Sequence, residues 1–128
     1  MPKKRAFKTK TFTKWMKKTD LKDQDLLFAI TEMEAGLIDA DLGGNVLKKR
    51  IALPGMGKRS SSRVLVASKF LSRWFFLFGF TKNEKSNVSD DELIYLQETV
   101  KRLFHLSDLE IQASIFAGEL KELINNDK

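Results

Sequence analysis

The sequence predicts one α+β domain spanning residues 1–128. It has a small antiparallel sheet of about four strands, two N-terminal helices on one face, and two C-terminal helices after the last strand. Three observations lead there. The length, 128 residues with 42% hydrophobic content, ten Phe and two Trp, fills one core and no second one. Apolar spacing of three and four at both ends of the chain gives way to alternation of period two between residues 45 and 81. Two Ser-x-x-Glu boxes, Ser89–Glu92 and Ser107–Glu110, mark helix starts near the C-terminus. No internal repeat or low-complexity tract divides the chain, and the helices are expected to pack on one face of the sheet.

Each element follows from local chemistry. Ala6 to Thr11 reads as a short strand, with Phe7 between lysines. Phe12, Trp15 and Met16 share one face of a short helix. Thr19 or Asp20 is the expected N-cap of a second helix, with Leu26, Leu27, Ile30 and Met33 as its stripe and Gly36 at its end. Leu37 to Gly44 is a connector. Strands are predicted over Asn45–Leu53, Arg63–Phe70 and Arg73–Thr81. In the first, Leu47, Ile51 and Leu53 face one way and Lys48 and Arg50 the other. The third is apolar on both faces, as in a central strand covered on two sides. Pro54 to Ser62 is a basic hairpin loop, and Leu71-Ser72 a tight connection. The third helix carries Leu93, Leu96, Val100 and Leu103. The fourth is expected to carry Ile111, Ile115, Phe116, Leu120 and Leu123.

Composition removes several function classes. Without Cys there are no disulfides or thiolate metal sites. With His105 as the single histidine, His-pair metal sites and Ser–His–Asp triads are excluded, and a dipole contact at a helix end is its expected role. The longest apolar stretch, Trp74 to Phe80, falls far short of the roughly 20 residues of a membrane span. Met1-Pro2-Lys3-Lys4-Arg5 opens no secretory leader, so a cytoplasmic protein is expected.

The net charge of +6 is unevenly spread. Residues 1–83 hold 18 Lys/Arg against 7 Asp/Glu, a local +11, whereas residues 84–128 hold 5 against 10, a local −5. Residues 45–85 are densest, with ten basic residues and Glu84 the single acid. Such a field attracts polyanions, nucleic-acid phosphate above all, although basic strands also keep sheet edges soluble.

Pro54-Gly55-Met56-Gly57-Lys58 lacks the spacing of a phosphate-binding P-loop, yet a mobile loop with Lys58 and Arg59 can close over a phosphate backbone. Asp20, Asp23, Asp25, Asp39 and Asp41 sit at caps and turns, where Asp serves local hydrogen bonds, so no metal or other cofactor is expected. The aromatic run 74–80 is core filling, with Phe80 at its end, beside Lys82, able to face a ligand. Lys48, Arg50 and Arg63, with the Lys82-Asn83-Glu84 turn, converge at one sheet end if their strands are neighbours. A cationic set without His or metal can cleave RNA, because the 2′-hydroxyl supplies the nucleophile and arginine stabilises the phosphorane charge. The same set also suits phosphate positioning on a non-catalytic surface.

The element order resembles the bacterial RelE/ParE toxin superfamily. The segment Lys48-Lys49-Arg50-Ile51-Ala52, Gly55-Met56-Gly57-Lys58, Arg63-Val64-Leu65 and Phe76 to Glu84 looks like its HigB-like RelE branch, over about residues 6–105. The resemblance implies a RelE-like fold and a ribosome-dependent mRNA endonuclease, the toxin of a type II toxin–antitoxin pair. Such toxins cut mRNA on the ribosome, where contacts with 16S rRNA are expected. They leave a 2′,3′-cyclic phosphate and are silenced by a cognate antitoxin. By this resemblance Lys48 and Arg50 match the basic pair on the family's second strand. Arg63 matches the arginine contacting the scissile phosphate, and Lys82, Asn83 and Glu84 occupy the turn where RelE proper has Lys-Arg-Glu. Asn83 replaces the leaving-group arginine and Ser89 the stacking tyrosine. Lys82 or Lys58 is then the substitute proton donor and Glu84 the candidate base, with Lys49, Lys58, Arg59, Phe80 and Asn83 as RNA contacts. A ParE-like inhibitor of DNA gyrase without catalysis, or a non-toxic RNA-binding module, fits the same fold.

Overall fold

The structure, a computed structural model, describes residues 4–52, 61–70 and 72–123. Strand β1 (Arg5–Thr9) runs directly into helix α1 (Lys10–Met16). Thr9 makes that join possible, because its hydroxyl accepts the Phe12 N–H at 3.2 Å and caps the helix. Helix α2 (Asp23–Glu34) starts later than Thr19 or Asp20. Thr19 is occupied with the Met16 carbonyl and the Leu21 N–H, while Asp25 reaches back to the Lys22 N–H at 2.8 Å. Gly36, with φ of +93°, ends it as expected.

The connector predicted over residues 37–44 contains a short strand, β2 (Ala40–Asp41), paired with β3 (Val46–Ala52). Next come β4 (Ser61–Lys69) and β5 (Arg73–Thr81), then α3 (Asp90–Phe104) and α4 (Asp108–Phe116). Both Ser-x-x-Glu boxes form as read, with Ser89 capping α3 and Ser107 capping α4. The C-terminal end departs from expectation. Gly118, at φ +82°, stops the helix, and Leu120–Glu122 return as strand β6 antiparallel to β1. The apolar spacing of Leu120 and Leu123 suits either structure, and pairing with the free edge of β1 decides it.

The sheet is therefore six-stranded and mixed, in the order β2-β3-β4-β5-β1-β6, with β1 parallel to β5 and the other pairs antiparallel. The helices cover both faces rather than one. Phe12, Met16, Leu26 and Ile30 of α1 and α2 pack on Val64, Val66, Trp74 and Phe76. Leu96, Val100 and Ile111 of α3 and α4 pack on Val46, Leu65, Phe75 and Leu77. Covering one face alone would leave Phe75 and Leu77 in water, at about 1.5–3 kcal/mol for each large side chain.

One irregularity re-aims the end of β5. Leu65 pairs with Phe78 but Val66 pairs with Phe76, so Leu77 is an extra residue in that strand. This bulge reverses the alternation beyond it. Leu77 and Phe78 both join the α3/α4 side, and Gly79 turns toward α1.

Candidate functional site

The ladder of β3 and β4 sets Lys48 opposite Leu65 and Arg50 opposite Arg63. Leu65 belongs to the α3/α4 side, so period-two alternation brings Lys48, Arg50 and Arg63 to that same face. The three cations thus form one patch at one end of the sheet. Arg50 is exposed, while Lys48 and Arg63 are half-buried. Nη1 of Arg63 is enclosed and has no hydrogen-bond partner among the described residues. A buried guanidinium nitrogen left unpaired is costly to the fold.

Internal pairing reduces the ten basic residues of the 45–85 segment to a smaller working set. Lys49 lies on the opposite face, 7% exposed, with its ammonium 3.3 Å from Glu32 of α2. Lys69 donates to the Phe104 carbonyl, and Arg73 to the Leu106 carbonyl and Asp108. Lys85 holds both carboxylate oxygens of Glu92 and lies over the Phe78 ring. Those bonds, led by Lys85 and followed by the Ser89 backbone, hold the Glu92 carboxyl down at about 2. Lys58 and Arg59 lie outside the described residues. Lys48, Arg50, Arg63 and Lys82 remain, with no carboxylate partner among the described residues.

Two expected contacts need correction. Phe80 pairs with Arg63 across the ladder but is only 2% exposed, packed against Phe78 at 6.2 Å between ring centroids, so it offers no face to a base. Lys49, buried against Glu32, cannot reach an RNA from the far side of the sheet. Lys49 is lost because its face is buried under α2, whereas Phe80 lies on the face of Arg63 and is buried there beside Phe78.

Lys82 and Asn83 are exposed on the turn after β5. Glu84 closes that turn, its Oε1 accepting the Thr81 N–H at 2.7 Å and the Trp15 indole N–H at 2.9 Å. The Trp15 bond comes first among the causes that lower the Glu84 pKa. Partial burial works against it, and Thr81 and the charge of Lys18 add to it. A carboxylate so engaged is a weak base, and Trp15 belongs to α1, on the side away from Arg63.

Two features escaped the sequence reading. Trp15 is one, and Gly79 inside an aromatic strand was its signal, because glycine there marks a close approach. A Cβ at Gly79 would lie 2.4 Å from the Trp15 ring. The other is a cleft of about 590 Å³ beside α3, lined by Lys10, Leu77, Phe78, Tyr95, Arg102 and Leu120 among others. It depends on the return of β6, which no local pattern announced. Of the acidic residues at turns, Asp41 accepts locally from the Gly43 N–H, whereas Asp39 accepts from the Arg50 N–H of β3 and Asp23 pairs with Lys8 of β1. His105 caps α3, with Nδ1 2.7 Å from the Lys101 carbonyl. Among the described residues no helix is long and apolar enough to cross a membrane.

A search of curated proteins finds none that matches. A sequence profile of the RelE toxin of RelE / RelB toxin-antitoxin system matches residues 4–123, and with the cationic strand face and the α+β sheet already described, the chain belongs to that toxin family.

Proposed function

We propose that this RelE-family toxin is a metal-independent endoribonuclease that cuts mRNA on the ribosome and so stops translation. As a toxin of a toxin–antitoxin system it has a cognate antitoxin as partner. The observation that carries the reading is the row Lys48, Arg50 and Arg63 on one sheet face, without side-chain ion pairs among the described residues, with one Arg63 nitrogen unsatisfied. Arg63 and Arg50 grip the non-bridging oxygens of the scissile phosphate, and Lys48 adds charge beside them. The neighbouring 2′-hydroxyl attacks phosphorus in line. The O2′–P bond forms as the P–O5′ bond breaks, leaving a 2′,3′-cyclic phosphate and a 5′-hydroxyl.

The cations bind the dianionic phosphorane more tightly than the monoanionic diester, which is the differential that accelerates the step. Lys82, exposed on the turn, is the proton donor to O5′, and the 2′-hydroxyl proton leaves to solvent. Asn83 contacts the RNA from the same turn, and contacts with 16S rRNA hold the toxin over the message. Glu84 has no part in the chemistry, being bonded to Trp15 and Thr81. The site of action is the cytoplasm, where ribosomes and message meet.

Mapping of transcript 5′ ends after brief induction tests the proposal. Wild type should produce new 5′-hydroxyl ends within translated codons, and Arg63→Ala should produce none while remaining folded. Ends that persist in the variant overturn the assignment. Intact mRNA with DNA-damage signalling would point to gyrase, and normal growth to a non-toxic RNA binder.

A further inference from the structure

We infer that Trp15 and Glu84 form a positioning clamp which holds the Lys82–Asn83 turn in place from the opposite side of the sheet; the inference rests on the endonuclease reading. Lys85 fixes the far end of the turn through Glu92 and the Phe78 ring, but Lys82 and Asn83 have no such tie of their own among the described residues. Both are exposed, and the turn's own backbone bonds run from Glu84 and Lys85 N–H to the Thr81 carbonyl. The Glu84 carboxylate adds two links, one to the Thr81 N–H at 2.7 Å and one to the Trp15 indole at 2.9 Å. The second link leaves the turn entirely and ends on α1.

Trp15 is itself immobilised. Its ring packs on Phe12 and lies over Gly79, the position the β5 bulge turns toward α1. Only glycine leaves room there, because a Cβ would come within 2.4 Å of two ring carbons. The path from the core to the reactive turn is therefore short: Gly79 admits the indole, the indole holds Glu84, and Glu84 holds the segment that presents Lys82. A proton donor must sit within about 3 Å of the leaving oxygen, and a loose turn loses that placement without losing affinity.

The role differs from general base catalysis in a way that one substitution separates. Glutamine keeps an oxygen that accepts both hydrogen bonds but has no charge to take a proton. The full-length chain and its variants are assayed on ribosomes programmed with a short mRNA, in single turnover, across toxin concentration and pH. Glu84→Ala and Trp15→Phe should lower the saturating rate by about 10- to 100-fold. Half-saturation should move less than about threefold and melting temperature by only a few degrees. Glu84→Gln should stay within about threefold of wild type with an unchanged pH profile. A Glu84→Gln rate as low as that of Glu84→Ala, with loss of the acid limb, overturns the clamp and makes the carboxylate a base. Wild-type rates for both Trp15→Phe and Glu84→Ala overturn it too. Arg63→Ala, run in parallel, reports on the endonuclease reading alone. If wild type cuts nothing, the clamp is still read by NMR. The indole N–H should be protected from solvent exchange in wild type and Glu84→Gln and exchange fast in Glu84→Ala. An unprotected wild-type indole refutes it.

Discussion

Arg50 on β3 and Arg63 on β4 are direct cross-strand partners, so two guanidinium groups occupy neighbouring positions on one face. Like charges in that relationship destabilise a sheet by up to about 1 kcal/mol, and neither guanidinium has an ion-pair partner among the described residues. On the endonuclease proposal, a phosphate bound between the two arginines would relieve that repulsion.

Arg63→Gln should therefore leave the melting temperature unchanged or raise it by about 1–3 °C at low salt. The gain should shrink as salt screens the pair, approaching zero near about 0.5 M. Scanning calorimetry over a salt series measures both. A drop of more than about 5 °C would show instead that Arg63 holds the fold together.

Two adjacent lysines should behave in opposite ways. Lys48 shares the face of Arg50, whereas Lys49 is buried against Glu32 of α2. Lys48→Met should weaken RNA binding and reduce the slope of log affinity against log salt by about 0.7–1, with little effect on stability. Lys49→Met should leave that slope intact and cost about 1–2 kcal/mol, less than a fully buried pair because Glu32 keeps a third of its side chain in water. Filter binding and urea unfolding separate the two; equal slopes for both variants would refute the facial assignment.

Gly79→Ala should be among the most damaging small substitutions in the molecule. The added methyl would meet the Trp15 ring at 2.4 Å, and neither α1 nor the paired β4–β5 ladder can yield cheaply. We expect a loss of about 2–3 kcal/mol by chemical denaturation. A loss under about 0.5 kcal/mol would mean that the indole is free to move.

Acid should loosen the start of α3. The Glu92 carboxyl lies at about 2 in the folded chain, against an ordinary 4.5, chiefly through Lys85. A group with a depressed folded pKa adds stability above its unfolded value and loses it as pH falls toward the folded one. The contribution is therefore complete above about pH 5 and fades between about 4.5 and 2. Lys85→Met should lower the melting temperature at pH 6 and have almost no effect near pH 2. A difference that persists at pH 2 would assign the loss to packing on Phe78 instead.

Local chemistry made much of the architecture legible. Ser89 and Ser107 announce their helices because a capping box satisfies backbone donors within four residues, and Arg73–Thr81 reads as a central strand from its side chains alone. Helix α2 begins later than a cap at Thr19 or Asp20 predicts, because Thr19 is taken up by the Leu21 N–H and Asp25, at the third helical position, reaches back to the Lys22 N–H. Phe80 looked available to a ligand because it ends a strand next to a lysine. It is buried beside Phe78, two residues earlier on the same face, and the bulge decides that this is the α3/α4 face.

By itself the sequence determined the polarity of each segment: where α3 and α4 begin, which strand is buried twice, and that the cations are concentrated between residues 45 and 85. These are properties of neighbours a few bonds apart, so they are written in spacing. Only the tertiary structure decided which of those cations lie open together, that Lys49 is paired on the far face, that residues 120–122 form a strand, and that Trp15 reaches Glu84 from 69 residues away. Such outcomes depend on strand register and on an unpaired sheet edge, and contacts between distant segments leave no periodic trace in the chain.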